Sequence, residues 1–293
     1  MTMFEDIAQT IPYQKLPFEN DQAIEITIKR LDQIHPQISG NKFFKLKYNF
    51  LESQRLGVKN ILTFGGAFSN HIAATAYAAH LFGFQSIGII RGEELQHKTL
   101  NHTLETAKQF GMQLNFVSRE EYRQKDNIEF LNELNLQFPN SYIIPEGGAN
   151  TLAIQGCQEI LTANDLNHYD IICCAVGTGG TISGLIEASA KHQTVLGFSA
   201  LKGDFLQTEV AAQTVKNNWK IIDRYCFGGY AKTQPELLAF IEQFEHQHRI
   251  PLEHIYTGKM LFGIFDLISK HYFAQGTRIL VIHSGGLQGR KAN

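Results

Sequence analysis

The chain has 293 residues, 43% of them hydrophobic, and a formal net charge of -2. That length allows two domains or one large one, and the composition can fill a substantial core. Charges of both signs are spread along the chain, leaving no basic footprint for nucleic acid or a membrane surface, and no apolar run approaches a bilayer span.

The N-terminus, MTMFEDIAQT, lacks the positive and then apolar stretch of a secretory leader. A strand is expected over 24–30. Ser39-Gly40-Asn41-Lys42 then leads into a helical pattern over 43–56 that also carries Lys45 and Lys47. Lys42 is the residue type an aldehyde cofactor needs, because a neutral lysine amine condenses with an aldehyde. A cation in the first turn of a helix is electrostatically disfavoured, although an ordinary solvated lysine is the plain alternative. The next strand, 60–66, ends on Gly65-Gly66 and precedes a helix over 70–82. Ser69 stands where an N-cap belongs. The amides of Ser69, Asn70 and His71 form a pocket suited to a substrate carboxylate.

Strands are expected over 86–92 and 114–119, with a helix over 99–110 between them. The tract REEYRQKDN (119–127) is the most charged segment and reads as solvated surface. A helix over 127–137, a strand over 141–148 and a helix over 151–163 follow.

Residues 170–184, DIICCAVGTGGTISG, place a short apolar strand (171–176) before a glycine-rich turn and a helix over 181–191. Such a turn exposes backbone N–H groups at a helix N-terminus, so an anion fits there, and two threonines add hydroxyl donors. The turn is not a dinucleotide fingerprint, because its sixth position is Ile182, and no GK[ST] tripeptide completes a Walker loop. A tight strand–helix turn is its plain alternative.

The remaining expected elements are strands over 194–201, 220–225 and 278–286 and helices over 205–217, 234–248 and 258–273. Strand–helix alternation argues for two parallel α/β sheets. His246, His248 and nearby His254 are the densest histidine group. An i, i+2 pair points to different sides of a helix, so no catalytic metal is expected. Cys157, Cys173, Cys174 and Cys226 have no zinc-ligand spacing, and reduced thiols in the cytoplasm are expected.

Taken in order, SGNKFFKLKY (39–48), GGAFSNHIAATA (65–76), PEGGAN (145–150), AVGTGGTISG (175–184), YTGKMLFGIFDLI (256–268) and HSGGLQG (283–289) resemble the pyridoxal-phosphate (PLP) enzymes of the tryptophan-synthase-β fold type. Within them the chain is most similar to the branch of D-cysteine desulfhydrase and 1-aminocyclopropane-1-carboxylate (ACC) deaminase. The resemblance implies fold type II. Two open, twisted parallel-sheet α/β domains with flanking helices would hold PLP in the cleft between them, with 1–45 and 147–293 as the large domain and 46–146 as a small inserted one. It implies a homodimer and a small amino-acid substrate.

Carried over residue by residue, Lys42 would hold the cofactor covalently. Ser69 would lie beside the substrate Cα and carboxylate, Asn70 would bind the cofactor's phenolic oxygen, and His71 would belong to the carboxylate pocket. Gly177, Thr178, Gly179, Gly180 and Thr181 would cup the phosphate, and Ser284 would face the pyridine nitrogen. Tyr256 and Tyr230 would line the substrate pocket. Lys45 could lower the Lys42 pKa by like charge, or simply be solvated, and Lys259 is expected to be solvated at the start of the last long helix.

A hydroxyl at Ser284, and Thr257 where the ACC-cleaving branch is expected to carry a glutamate, lean toward β-elimination. The expected activity is a D-cysteine desulfhydrase-like lyase giving keto acid, ammonia and sulfide. ACC deaminase, or another PLP-dependent ammonia-lyase, is the same-fold alternative. A non-catalytic protein that binds a phosphorylated metabolite is the alternative of another class.

Overall fold

A computed structural model describes residues 3–290. Its strands are β1 (Tyr13–Lys15), β2 (Glu25–Lys29), β3 (Asn60–Gly65), β4 (Gln85–Arg91), β5 (Met112–Val117), β6 (Ser141–Ile144), β7 (Ile171–Val176), β8 (Thr194–Ser199), β9 (Trp219–Ile222) and β10 (Arg278–Ile282). Its helices are α1 (Asn41–Arg55), α2 (Asn70–Phe82), α3 (His102–Gln109), α4 (Arg119–Tyr122), α5 (Ile128–Gln137), α6 (Thr151–Gln158), α7 (Ala163–His168), α8 (Gly180–Ala188), α9 (Phe205–Ala211), α10 (Pro235–His248) and α11 (Thr257–Ser269). One sheet has the order β1-β2-β10-β7-β8-β9 and the other β5-β4-β3-β6. All pairings are parallel except β1 against β2.

The continuous apolar strands are covered on both faces, as their composition requires. In β7, Ile172, Cys174 and Val176 join the core on one side with Leu280 and Ile282 of β10. Cys173 and Ala175 join the opposite core with Ile279 and Val281. The smaller sheet buries Leu62, Phe64, Ile87 and Ile89 in a core of its own.

Strand order reverses once in each sheet. From β3 the chain steps outward to β4 and β5 and returns to β6 on the other side; from β7 it steps to β8 and β9 and returns to β10. Crevices in open α/β sheets lie outside the carboxyl ends of strands at such reversals. The turns leaving β3 and β7 are the two glycine-rich turns from which anion binding is expected.

Helices α1, α6 and α8 pack closely against one another. A Cβ built on Gly156 of α6 would stand 2.0 Å from the Phe44 carbonyl oxygen of α1, so glycine is what lets these helices meet.

Three expectations are corrected. The helix expected over 151–163 stops at Gln158, and a separate helix, α7, starts at Ala163, where Thr162 and Asp165 form a reciprocal capping box. The tract 119–127 is not all solvated surface: Ser118 and Glu121 cap the short α4, and Tyr122 is buried. An edge strand, β1, pairs antiparallel with β2 in an otherwise parallel sheet; its three residues, Tyr-Gln-Lys, carry no apolar signal.

Candidate active site

The two reversal points open onto a shared cleft of about 450 Å³. One wall is the turn after β7. Gly179 has φ 79°, and α8 begins at Gly180, so the leading amides of the helix have no carbonyl ahead of them. The opposite wall is the turn after β3 and the start of α2. The Ser69 amide donates to the Gly66 carbonyl at 3.0 Å and is therefore not available to a ligand, which corrects the expected three-amide pocket. Asn70 and His71 supply the leading amides. The Ser69 hydroxyl accepts the Ile72 N–H at 3.4 Å, keeping its own proton free to donate.

Lys42 enters from the first turn of α1. Gly40, at the N-cap of that helix, has a φ of 68° that suits glycine, and the Asn41 N–H donates to the Ser284 carbonyl at 3.2 Å. A Cβ on Gly40 would lie 1.9 Å from the same oxygen, so the Lys42 and Ser284 backbones are locked to each other. The Lys42 ammonium donates to Asn41 Oδ1 at 3.1 Å, and Asn41 Nδ2 donates to Thr181 Oγ1 at 2.8 Å, linking the lysine to the turn after β7. Burial, and then the neighbouring Lys45, lowers the Lys42 pKa to about 7. A group so placed is a substantial fraction neutral amine near neutral pH, which is what nucleophilic or base chemistry requires.

Lys45 is not solvated. It is 2% exposed, its ammonium donates to the Gly147 carbonyl at 2.9 Å, and it lies 3.4 Å from Thr178 Oγ1. It thus places a cationic group at the rim of the Gly177–Thr181 loop, although burial lowers its pKa below the ordinary lysine value.

His71 is fully enclosed. Thr63 Oγ1 donates its proton to the Ile144 carbonyl at 2.8 Å and so accepts from His71 Nε2, also at 2.8 Å. Nδ1 is then a bare acceptor without a protein partner. Burial, then Lys42 and Lys45, holds the imidazole well below its ordinary pKa and therefore neutral. Asn70 Oδ1 is likewise buried without a partner, an orphan acceptor that a ligand donor would satisfy.

The aromatic wall is formed by Tyr256 and Tyr230, whose rings meet edge-to-face at 6.2 Å. Tyr256 lies against Gly177, where a built Cβ would stand 3.1 Å from the Tyr256 ring. Burial, and then the Tyr230 phenol, raises the Tyr256 pKa far above the physiological range, so it is a donor. Glu253 sits behind this wall. Its carboxylate accepts the N–H groups of Ile255, Tyr256 and Thr257 at 2.6, 2.9 and 2.6 Å, fixing the start of α11. Lys259, expected to be solvated, is 1% exposed and donates to the Cys226 and Gly229 carbonyls at 2.8 Å each, holding the segment that leads to Tyr230.

The cleft thus brings together Lys42, Ser69, Asn70, His71, Gly177, Thr178, Gly179, Thr181, Tyr230, Tyr256 and Ser284; Gly180 lies beside them, where a Cβ would stand 3.4 Å from Lys45 Nζ. Asn41 and Glu146 lie in the segments SGNKFFKLKY and PEGGAN, where sequence gives them no role, and Arg91 and Glu253 lie outside every quoted segment. Each matters through what the tertiary fold sets beside it. Among the described residues no group of three or more acidic, histidine or cysteine side chains could hold a metal, and His248 is a buried helix residue.

This geometry fits PLP: a lysine for its aldehyde, an amide loop with a buried cation for its phosphate, and an orphan asparagine oxygen within the cleft. Residues 5–285 match the pyridoxal-phosphate dependent enzyme family, and the chain belongs to it. Its cofactor is pyridoxal phosphate. Within that family its relatives include a Thermotoga maritima protein provisionally named an ACC deaminase, 30% identical over 90% of this chain and 89% of the relative. Another is the mitochondrial bifunctional D-cysteine desulfhydrase/ACC deaminase of Arabidopsis thaliana, 30% identical over 90% of this chain and 73% of that protein. A crystal structure described as an ACC deaminase homologue superposes with a TM-score of 0.83 at 26% identity, covering 97% of this chain and 91% of the other. The chain is a PLP-dependent enzyme of fold type II in the deaminase and desulfhydrase branch.

Proposed function

We propose that the protein is a β-eliminating lyase acting on D-cysteine or a related β-substituted amino acid. With cysteine and water the balanced products are pyruvate, ammonia and hydrogen sulfide. The observation that carries this reading is a lysine amine lowered to about 7 between two anion-receiving loops, with a hydroxyl, Ser284, in the cleft.

Bound there, PLP supplies an aldehyde for the substrate amine and an electron-accepting ring that makes loss of the Cα proton feasible. Lys42 would anchor the cofactor and then take or return the Cα proton, a role its depressed pKa supports. The Asn70 and His71 amides and the Ser69 hydroxyl would bind the substrate carboxylate. Asn70 would also hydrogen-bond the cofactor's phenolic oxygen. The loop Gly177–Thr181, with Lys45, would hold the phosphate, and Ser284 would face the ring nitrogen. Tyr256 and Tyr230, as neutral donors, would flank the substrate side chain. Glu253 is the nearby carboxylate at the start of α11, and its oxygens are taken up by three backbone N–H groups, which supports a hydroxyl environment for the ring nitrogen.

We further infer two units, 1–45 with 147–293 and 46–146, supported by the separate sheets. A homodimer is inferred on the resemblance alone. Four free cysteines support a cytoplasmic location, and no helix among the described residues is long and apolar enough to cross a membrane.

ACC deamination is the second reading, favoured by the names of the relatives. Keto acid and sulfide measured with holoprotein across D- and L-cysteine, D- and L-serine, β-chloroalanine and ACC separates the two. Sulfide and pyruvate from a cysteine enantiomer are expected. Ring opening of ACC with no elimination from any β-substituted amino acid would overturn the proposal.

A further inference from the structure

We propose that Arg91 makes the cleft favour, among the β-substituted amino acids it admits, those whose side chain ends in a second anionic group. This rests on the amino-acid reading above and adds the class of side chain.

The ionised groups that line the cleft are unbalanced. Lys42, Lys45 and Arg91 are cations and Glu146 is an acid. Three of the four have their partners or their task. Lys45 is bound to the Gly147 carbonyl beside the phosphate-type loop. Lys42 is the cofactor anchor. Glu146 accepts the Tyr122 hydroxyl at 2.7 Å and lies 3.7 Å from Lys125. Arg91 remains. It ends β4 with an exposed side chain, and no carboxylate pairs with it among the described residues. Its guanidinium is oriented by the face of Tyr122, 5.7 Å from the ring centroid. Its Nη2 comes within 3.5 Å of where a Cβ on Gly66 would stand.

Gly66 opens the same turn that ends on Ser69 and the α2 amides. Asn101 Nδ2 braces that turn through the Ala67 carbonyl at 2.9 Å. One short, braced segment therefore carries two anion receptors, helix amides at one end and a guanidinium beside the other. A planar guanidinium matches a carboxylate through paired hydrogen bonds, which an amide cannot reproduce. Phe68, 65% exposed and lining the cleft next to Ser69, offers apolar surface to the stem between the two charges.

The test titrates holoprotein with aspartate against asparagine and glutamate against glutamine, in both enantiomers, following the cofactor absorbance. D- and L-serine serve as the reference amino acids. Wild type is expected to bind one acid about tenfold more tightly than its amide. The ratio should fall toward one in Arg91→Gln and invert in Arg91→Glu. Because each ratio is taken within one variant, a general loss of affinity does not imitate the result. Serine binding with equal affinity for acid and amide in wild type, or a preference that survives Arg91→Gln, overturns the inference alone. No spectral response to serine or to any of these amino acids overturns the amino-acid reading and this inference with it.

Discussion

Thr63 sets the tautomer of His71. The threonine has one proton, which goes to the Ile144 carbonyl at 2.8 Å, so His71 must donate through Nε2 and present Nδ1 as an acceptor. The relation ties the centre of the smaller sheet to the first turn of α2.

Thr63→Val removes the acceptor while preserving shape, stranding a buried imidazole N–H. The expected destabilisation is about 1–3 kcal/mol, read as a shift of the urea midpoint at unchanged m-value. The imidazole nitrogen shifts of His71 in an NMR experiment should change from a single tautomer to a mixture. Wild-type stability with unchanged shifts would show that the tautomer is set elsewhere.

The lysine pair gives a pH prediction. The Lys42 pKa lies near 7 in the fold, below its ordinary value of 10.5. Between those two values the unfolded chain binds more protons than the folded one, so apo-protein stability contributed by this group rises with pH across that window and falls as pH drops toward 7. Lys42→Met should stabilise the apo-protein more at pH 7 than at pH 10.5, measured by thermal unfolding. Reductive labelling of Lys42 by a small aldehyde should have its midpoint near pH 7 and move upward in Lys45→Met, because a like charge is removed. A midpoint unchanged by Lys45→Met would assign the whole shift to burial.

Lys259→Met leaves the Cys226 and Gly229 carbonyls facing an apolar chain. A loss of about 2–4 kcal/mol is expected, with increased hydrogen exchange confined first to 226–231. That segment holds Phe227 and Ala231 at φ 50° and 54°, conformations that neither residue favours unaided. Uniform loss of protection throughout the chain would instead assign Lys259 to the global core.

Gly156→Ala forces a methyl group into the Phe44 carbonyl. Separation of α1 from α6 should destabilise the fold by about 1–3 kcal/mol and displace Lys42, which α1 carries. Both the denaturant midpoint and the rate of Lys42 labelling are expected to change; an unchanged labelling rate would mean that α1 moves without its first turn.

The strand–turn–helix units around Gly177 and Ser69 were legible because their signals are local. A continuous apolar run, adjacent glycines and a capping residue specify a strand that ends on exposed amides, wherever the unit sits. Lys42 was legible only in the company of those loops. The break between α6 and α7 was obscured because an apolar stretch hides a capping box whose partners are polar. The edge strand β1 leaves no signal in the sequence because pairing, and not hydrophobic burial, holds it.

Charge was the least legible property. Lys45, Lys47 and Lys259 are the same residue type, yet Lys45 and Lys259 bind carbonyls while Lys47 pairs with Glu5 at 3.0 Å and Glu159 at 2.7 Å. The partners that decide this lie far away along the chain, Gly147 for Lys45 and Cys226 and Gly229 for Lys259. By itself the sequence determined that two glycine-rich turns would each present amides to an anion, since this follows from backbone conformations a few residues long. Only the tertiary structure decided that both turns face one lysine, that His71 is neutral and that Arg91, with no carboxylate partner among the described residues, stands beside them. Desolvation and charge pairing depend on which distant segments the packed sheets bring within a few ångströms.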